Sequence, residues 1–308
     1  MTSTLAMAAL AIVFAGQPDK ALSIDSNASI YIDGERFGGK EVQALNYCGK
    51  IYLPLRALGE ALGKELFWHE NTKSVFIGSK KNLADFLRTA LVPVGETMYI
   101  WGGGWNEEDT AAGPEAMTIG ASANWASFAR KQTKSYNYSL TRYRIHDGLD
   151  CTGFIGWAIY NLVPNDGGYV FKSNVLASSL SNIGLGSMTA RSSVKTHLAG
   201  DIMSTSGHAW ISLGTCADGS VAILHSSPPG VSICGTQVGS VKSEAVKLAE
   251  KYMSKYFPEW YEKYPNCNRN ASYLTGYDKF SWDESLLSDP DGLRKKDAAQ
   301  VLSVLFNE

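Results

Sequence analysis

The spacing of apolar residues alternates between a strand period of two and a helix period near 3.6, and the switches mark out elements. Ile30-Tyr31-Ile32 reads as a short strand, and Asp33-Gly34 as a hairpin turn. Ile51-Tyr52-Leu53 reads as another strand, with Pro54 suited to the first turn of a helix. Leu55, Leu58, Ala61 and Leu62 then share one helical face, and Gly63 is the expected stop. Leu66-Phe67-Trp68 and Val75-Phe76-Ile77 flank a polar turn and predict a hairpin. After a polar joint at 79–82, a helix is expected from Leu83.

Beyond Asp150 the pattern changes again. Phe154, Ile155, Trp157, Ala158, Leu162 and Val163 make a helix apolar nearly all round, which predicts burial. Gly200-Asp201 is a turn before a strand, and His208 to Gly214 alternates as a sheet strand. Asp218-Gly219 is a hairpin signal, and Val221 to His225 is the returning strand. Past Gly239 the text turns helical, with Tyr252, Tyr256, Trp260 and Tyr261 on an aromatic face that reads better as core than as a glycan platform. Phe280 to Gly292 reads as turn-rich, and a last helix is expected from Asp297 to Phe306. Strands and helices of this kind predict an α+β chain.

Composition narrows the classes. Of 308 residues, 44% are hydrophobic and 19% charged, a globular balance that excludes a disordered chain. The net charge of −2 provides no basic field for nucleic acid. Five cysteines are too few, and of the wrong parity, for a disulfide scaffold, so at least one thiol is expected free; a Cys216–Cys234 pair is left open. Leu5 to Gly16 is an apolar run too short to span a bilayer. It reads as the core of a signal peptide over 1–22, with no Lys or Arg before it; the alternative is a buried N-terminal helix. No membrane span is expected.

One constellation carries chemistry. Asp150 occupies an N-cap position and puts Cys151 in the first turn of the buried helix. A helix N-terminus favours negative charge, so a depressed thiol pKa and a stored thiolate are expected there, with backbone N–H groups to receive an oxyanion. His208 opens one strand and His225 ends its neighbour, so both rings are expected at one sheet end, as a Cys–His–orienter triad requires. Taken singly, each is better explained as a packed cysteine or a solvated histidine. His146 reads as a cleft-rim residue, His197 and His69 as surface residues. No CxxC or HExxH spacing occurs, so no metal site and no cofactor are expected.

Two stretches resemble known families. Tyr52-Leu53-Pro54-Leu55-Arg56-Ala57-Leu58, then Glu60 to Gly63, Trp68 and Thr72 to Val75 resemble the copper amine oxidase N-terminal-like stalk module, placed at 26–80. With His69 its sole histidine, the module implies no copper. Tyr99-Ile100-Trp101-Gly102-Gly103, Asp150-Cys151-Thr152-Gly153-Phe154, Gly200-Asp201, Gly207-His208-Ala209 and His225 occur in order over 83–237. Together they resemble the NlpC/P60 family of papain-like cell-wall peptidases.

That resemblance implies a papain-like domain in which a Cys-bearing helix packs on an antiparallel sheet. It implies Cys151 as nucleophile, His208 as general base and His225 as its orienter. Tyr99, Asp150 and Trp101 would line the substrate site. It also implies a secreted cysteine peptidase that hydrolyses peptidoglycan stem peptides, at the γ-D-glutamyl to diamino-acid bond, with the stalk module associating with the cell wall. The alternatives are a CHAP-type N-acetylmuramoyl-L-alanine amidase and a non-catalytic wall-binding protein. An insertion over 105–149 reads as a helical decoration packed by Trp125, Phe128, Tyr136 and Tyr138, or else as a lid. Residues 238–308 are expected as a helical C-terminal extension.

Overall fold

The computed structural model describes residues 30–32, 34–37, 45–47, 50–64, 66–69, 74–78 and 81–308. The expected signal peptide over 1–22, Cys48 and the His69 side chain lie outside the described residues. The chain divides into two compact units, the first built mainly from residues before 68 and the second mainly from residues after 80.

In the first unit β1 (Ile30–Ile32) and β2 (Glu35–Phe37) form the expected hairpin, with Gly34 turning at φ +85°. β3 (Leu45–Tyr47) pairs with β4 (Lys50–Tyr52), and α1 (Leu55–Ala61) starts directly after Pro54. Gly63 sits at φ +63°, the left-handed conformation that ends a helix with little strain in a residue lacking Cβ. β5 (Leu66–His69) and β6 (Ser74–Ile77) make a further two-stranded sheet, whose residues from Trp68 to Phe76 are grouped with the second unit.

The second unit is α+β. α2 (Leu83–Leu91) opens with a capping box between Asn82 and Asp85 and buries Leu83, Phe86, Leu87 and Leu91. The remaining strands are β7 (Met98–Tyr99), β8 (Gly148–Leu149), β9 (Gly186–Thr189), β10 (Ile202–Thr205), β11 (His208–Thr215), β12 (Val221–Ser227), β13 (Gly230–Thr236), β14 (Asn268–Arg269) and β15 (Asp278–Trp282). They form one sheet in the order β8-β7-β13-β12-β11-β10-β15-β9, with β14 beside β13. Its middle is antiparallel, while β7–β8 and β13–β14 pair in parallel.

The helices are α3 (Ala123–Arg130), α4 (Cys151–Tyr160), α5 (Leu176–Asn182), α6 (Glu244–Tyr256), α7 (Pro258–Lys263) and α8 (Ala298–Leu305). α4 packs on β11 and β12, and its residues from Cys151 to Ile159 are all buried, as the apolar run predicted. One core joins Phe154, Ile155 and Trp157 to Ala209, Ile211 and Leu224 of the sheet. The opposite sheet face holds a smaller core of Met203, Trp210, Ile223, Cys234 and Tyr277.

Two expectations are corrected here. Residues 238–308 do supply α6, α7 and α8, but they also supply β14 and β15, and β15 lies inside the sheet between β10 and β9. The sequence hid β15 because Asp278 and Lys279 interrupt its apolar pattern. Both are buried through partners far away in sequence: Asp278 takes a bidentate contact from Arg191, and Lys279 Nζ lies 3.4 Å from Asp201. Secondly, His197 is no surface residue; it is half-buried and stacks on Trp210 at 5.7 Å.

Candidate active site

The site begins with three glycines. Gly103 brings its backbone against β8, where a Cβ would lie 2.4 Å from the Gly148 carbonyl. Gly104 meets Gly153 of α4 with equal closeness, a Cβ there falling 2.6 Å from the Gly153 Cα. Only residues without side chains let the 102–104 turn touch the start of α4, and this contact sets Cys151 beside the turn.

Asp150 caps α4. Its Oδ1 accepts from the Thr152 N–H (2.9 Å), the Gly153 N–H (2.7 Å) and the Thr152 hydroxyl (3.0 Å). Trp105 Nε1 donates to that same hydroxyl at 3.2 Å. Two first-turn N–H groups expected to be free for an oxyanion are thus engaged by Asp150, leaving the Cys151 N–H. Burial pushes the Asp150 carboxyl up to about 6 against the pull of these donors.

Cys151 is 7% exposed at the floor of a cavity of about 170 Å³. Tyr99, Trp101, Asp150, Lys172 and Gly207 line it with Cys151. The expectation of a depressed thiol pKa is corrected. Burial, and then the charge of Asp150, push the thiol up to about 12, while the N–H groups of Ala209, Thr152 and Cys151 oppose the rise. The helix terminus is present, but its field is spent on the capping carboxylate, and dry surroundings penalise the thiolate.

The structure brings the two histidines together. His208 Nε2 lies 3.0 Å from His225 Nδ1. His208 opens β11 as expected, whereas His225 stands inside β12, which continues to Ser227. A register shift between Ser212 and Gly214, together with the loop before Val221, absorbs the 17-residue separation. Burial and Arg269 hold both imidazoles below the ordinary range, His208 down to about 4. Neither imidazole is hydrogen-bonded to the Cys151 sulfur among the described residues; the link is Ala209, next to His208, whose N–H faces that sulfur.

Tyr99 and Trp101 are held by the 105–149 segment. Tyr138 meets the Tyr99 ring edge-on at 5.4 Å, and the Tyr136 hydroxyl donates to the Tyr99 carbonyl at 2.7 Å. Arg142 lies over the Trp101 ring at 4.8 Å. Trp125 and Phe128 are buried, with Trp125 edge-on to Trp157 of α4. The segment is therefore a packed helical decoration that also buttresses the cavity wall.

The remaining candidates lie elsewhere. His146 is exposed and pairs with Glu115. Cys216 and Cys234 are both free thiols, so the bridge left open between them is absent. Tyr252 and Trp260 are core, and the Tyr252 and Tyr256 hydroxyls donate to Glu308. Cys216, Asp218 and Glu244 approach closely enough to share an ion. Asp218, however, already accepts the N–H groups of Ser220 and Glu244, and so serves the hairpin turn and the start of α6.

Arg269 and Tyr273 were missed by sequence reasoning. Arg269 Nε donates to His225 Nε2 at 3.2 Å, and the Tyr273 ring lies 5.3 Å from His208 and 5.9 Å from His225. No local signal marks them, because they reach the site from beyond α7.

Among the described residues no helix is long and apolar enough to cross a membrane. A family profile for the copper amine oxidase N-terminal domain matches residues 31–86, which agrees with the stalk resemblance read from the same stretch. Comparisons with curated proteins and with solved structures return no match.

Proposed function

We propose that the second unit is a papain-like cysteine peptidase of the NlpC/P60 kind, secreted and acting on peptidoglycan stem peptides. The observation that carries the reading is the 3.0 Å bond between His208 and His225 at the sheet end where the Cys151 cavity opens beside Gly207. His225 occupies Nε2 of His208, so Nδ1 is the nitrogen left to serve the sulfur.

In the proposed reaction the Cys151 sulfur bonds to an amide carbonyl carbon as its proton passes to His208 Nδ1. The Cys151 N–H receives the developing oxyanion. The resulting imidazolium returns its proton to the leaving amine as the C–N bond breaks, giving a thioester and a free amine. Water then attacks the thioester, His208 taking its proton and passing it to sulfur, which restores the thiol and releases the acid. Because thiol and imidazole both rest neutral, this transfer coincides with attack instead of preceding it.

The cavity suits a short peptide that carries charge at both ends. Asp109 and Asp150 face a substrate ammonium, and Lys172 a substrate carboxylate. Tyr99 and Trp101 supply apolar wall. The stalk module contributes wall association.

Purified cell wall treated with the full chain is expected to release stem-peptide fragments, and Cys151→Ala to release none while keeping its urea-unfolding midpoint. Undiminished release by that variant removes the reading. A wild-type chain that sediments with walls and releases nothing favours a binding protein. Mass spectrometry of the fragments separates cleavage within the stem peptide from cleavage at its N-acetylmuramoyl end, which would mark an amidase.

A further inference from the structure

Arg269 stands in β14, and its guanidinium is tied in place on two sides. Nη1 donates to the Asn268 carbonyl at 2.8 Å and the Asn266 carbonyl at 3.4 Å, while Nε donates to His225 Nε2 at 3.2 Å. A guanidinium has donors and no acceptor. His225 Nε2 must therefore present its lone pair, and the single proton of the neutral ring sits on Nδ1. That proton points at His208 Nε2, 3.0 Å away, which must in turn accept. The proton of neutral His208 is then on Nδ1, the nitrogen that has to be bare to take a proton from a thiol.

We propose that Arg269 is a positioning residue that fixes the tautomer of the His208–His225 pair and holds His208 in a non-accepting form while its Nε stays on His225 Nε2. The inference rests on the reading of Cys151 as nucleophile and His208 as base. Release needs one tautomeric step. His225 gains a proton from water at Nε2 and passes its Nδ1 proton to His208 Nε2, and His208 gives up its Nδ1 proton to water. Charge is conserved, and Arg269, which cannot accept from the new Nε2–H, must move off.

The other groups facing the pair do not fix this choice. Tyr273 presents its ring to both imidazoles, and the Cys234 thiol is within hydrogen-bond reach of Ser232. Arg269 and Tyr273 belong to the one segment between α7 and β15, so displacement of that segment by a bound substrate frees both contacts together. The lowered pKa of both rings, to which the Arg269 charge contributes, agrees with a pair kept neutral.

The test is long-range proton–nitrogen NMR on the full chain labelled with nitrogen-15 histidine, at neutral pH. Wild type is expected to show bare Nε2 and protonated Nδ1 on both His208 and His225. In Arg269→Met, and equally in Arg269→Gln, whose amide oxygen accepts, His208 Nδ1 is expected to become bare. Iodoacetamide should then alkylate Cys151 about a hundredfold faster than in wild type, the lower end of what a correctly placed base contributes. A protonated His225 Nε2 in wild type, or unchanged tautomers in both variants, overturns the proposal. The NMR readout needs no turnover: the expected tautomers in a chain that releases no wall fragments would remove the peptidase reading and leave the tautomer assignment to Arg269 standing.

Discussion

Burial acts on Cys151 and His208 in opposite directions. It raises the thiol to about 12 and lowers the imidazole to about 4, so the proton stays on sulfur at neutral pH. Alkylation of Cys151 by iodoacetamide should therefore climb steadily from neutral into alkaline solution; a plateau near neutrality would reveal a preformed thiolate–imidazolium pair instead. The same shifts bear on stability. A histidine whose folded pKa lies below its unfolded value contributes fully above about pH 6.5, and the fold loses that contribution as pH falls toward 4. Asp150, raised to about 6, runs the other way over a similar window and offsets part of the loss. The urea-unfolding midpoint is expected to drop between pH 7 and pH 5, and to drop less in His208→Gln. An equal drop in that variant would place the acid sensitivity elsewhere.

At the scale of elements, the 102–104 turn and the start of α4 are held together by backbone contact alone. A methyl group at Gly103 would collide with the Gly148 carbonyl, a main-chain atom that no rotamer change can move aside. Gly103→Ala is expected to cost at least about 1–3 kcal/mol, read from chemical unfolding, and to displace Cys151 from its cavity. An unchanged midpoint would mean that the turn yields. Local pattern already pointed to this element: the cap, the first-turn cysteine and the buried helix were all legible. The Asp150 bonds that consume the first-turn N–H groups were not, because a residue's cap role and its competition with an oxyanion look the same in sequence.

For the whole molecule, the C-terminal quarter is part of the sheet. Asp201 is fully buried at the turn before β10 and meets Lys279 at 3.4 Å, Arg294 at 3.0 Å and the Ser281 hydroxyl at 2.7 Å. All three partners come from beyond residue 238. Ending the chain after Gly239 would leave that carboxylate buried without a counter-charge, strip β15 from its place beside β10 and remove the α8 cover from β11. The truncated chain is expected to lose cooperative unfolding and near-ultraviolet aromatic dichroism; a truncated chain that still unfolds cooperatively would show 238–308 to be dispensable.

Sequence by itself determined what depends on near neighbours. The stalk hairpin and its helix stop, the capped and buried α4, the β11 and β12 strands and the meeting of His208 with His225 all follow from period, turn residues and caps, whose physics acts over a few positions. Tertiary structure alone decided what depends on distant ones. β15 became a strand because Arg191 and Asp201 neutralise its charged residues. The Cys151 thiol was raised instead of lowered because packing dried its surroundings. The histidine pair acquired a donor on its far side because Arg269 arrives 44 residues after His225. Charge compensation, desolvation and hydrogen-bond direction are set by which atoms meet in space, and no local pattern carries that information.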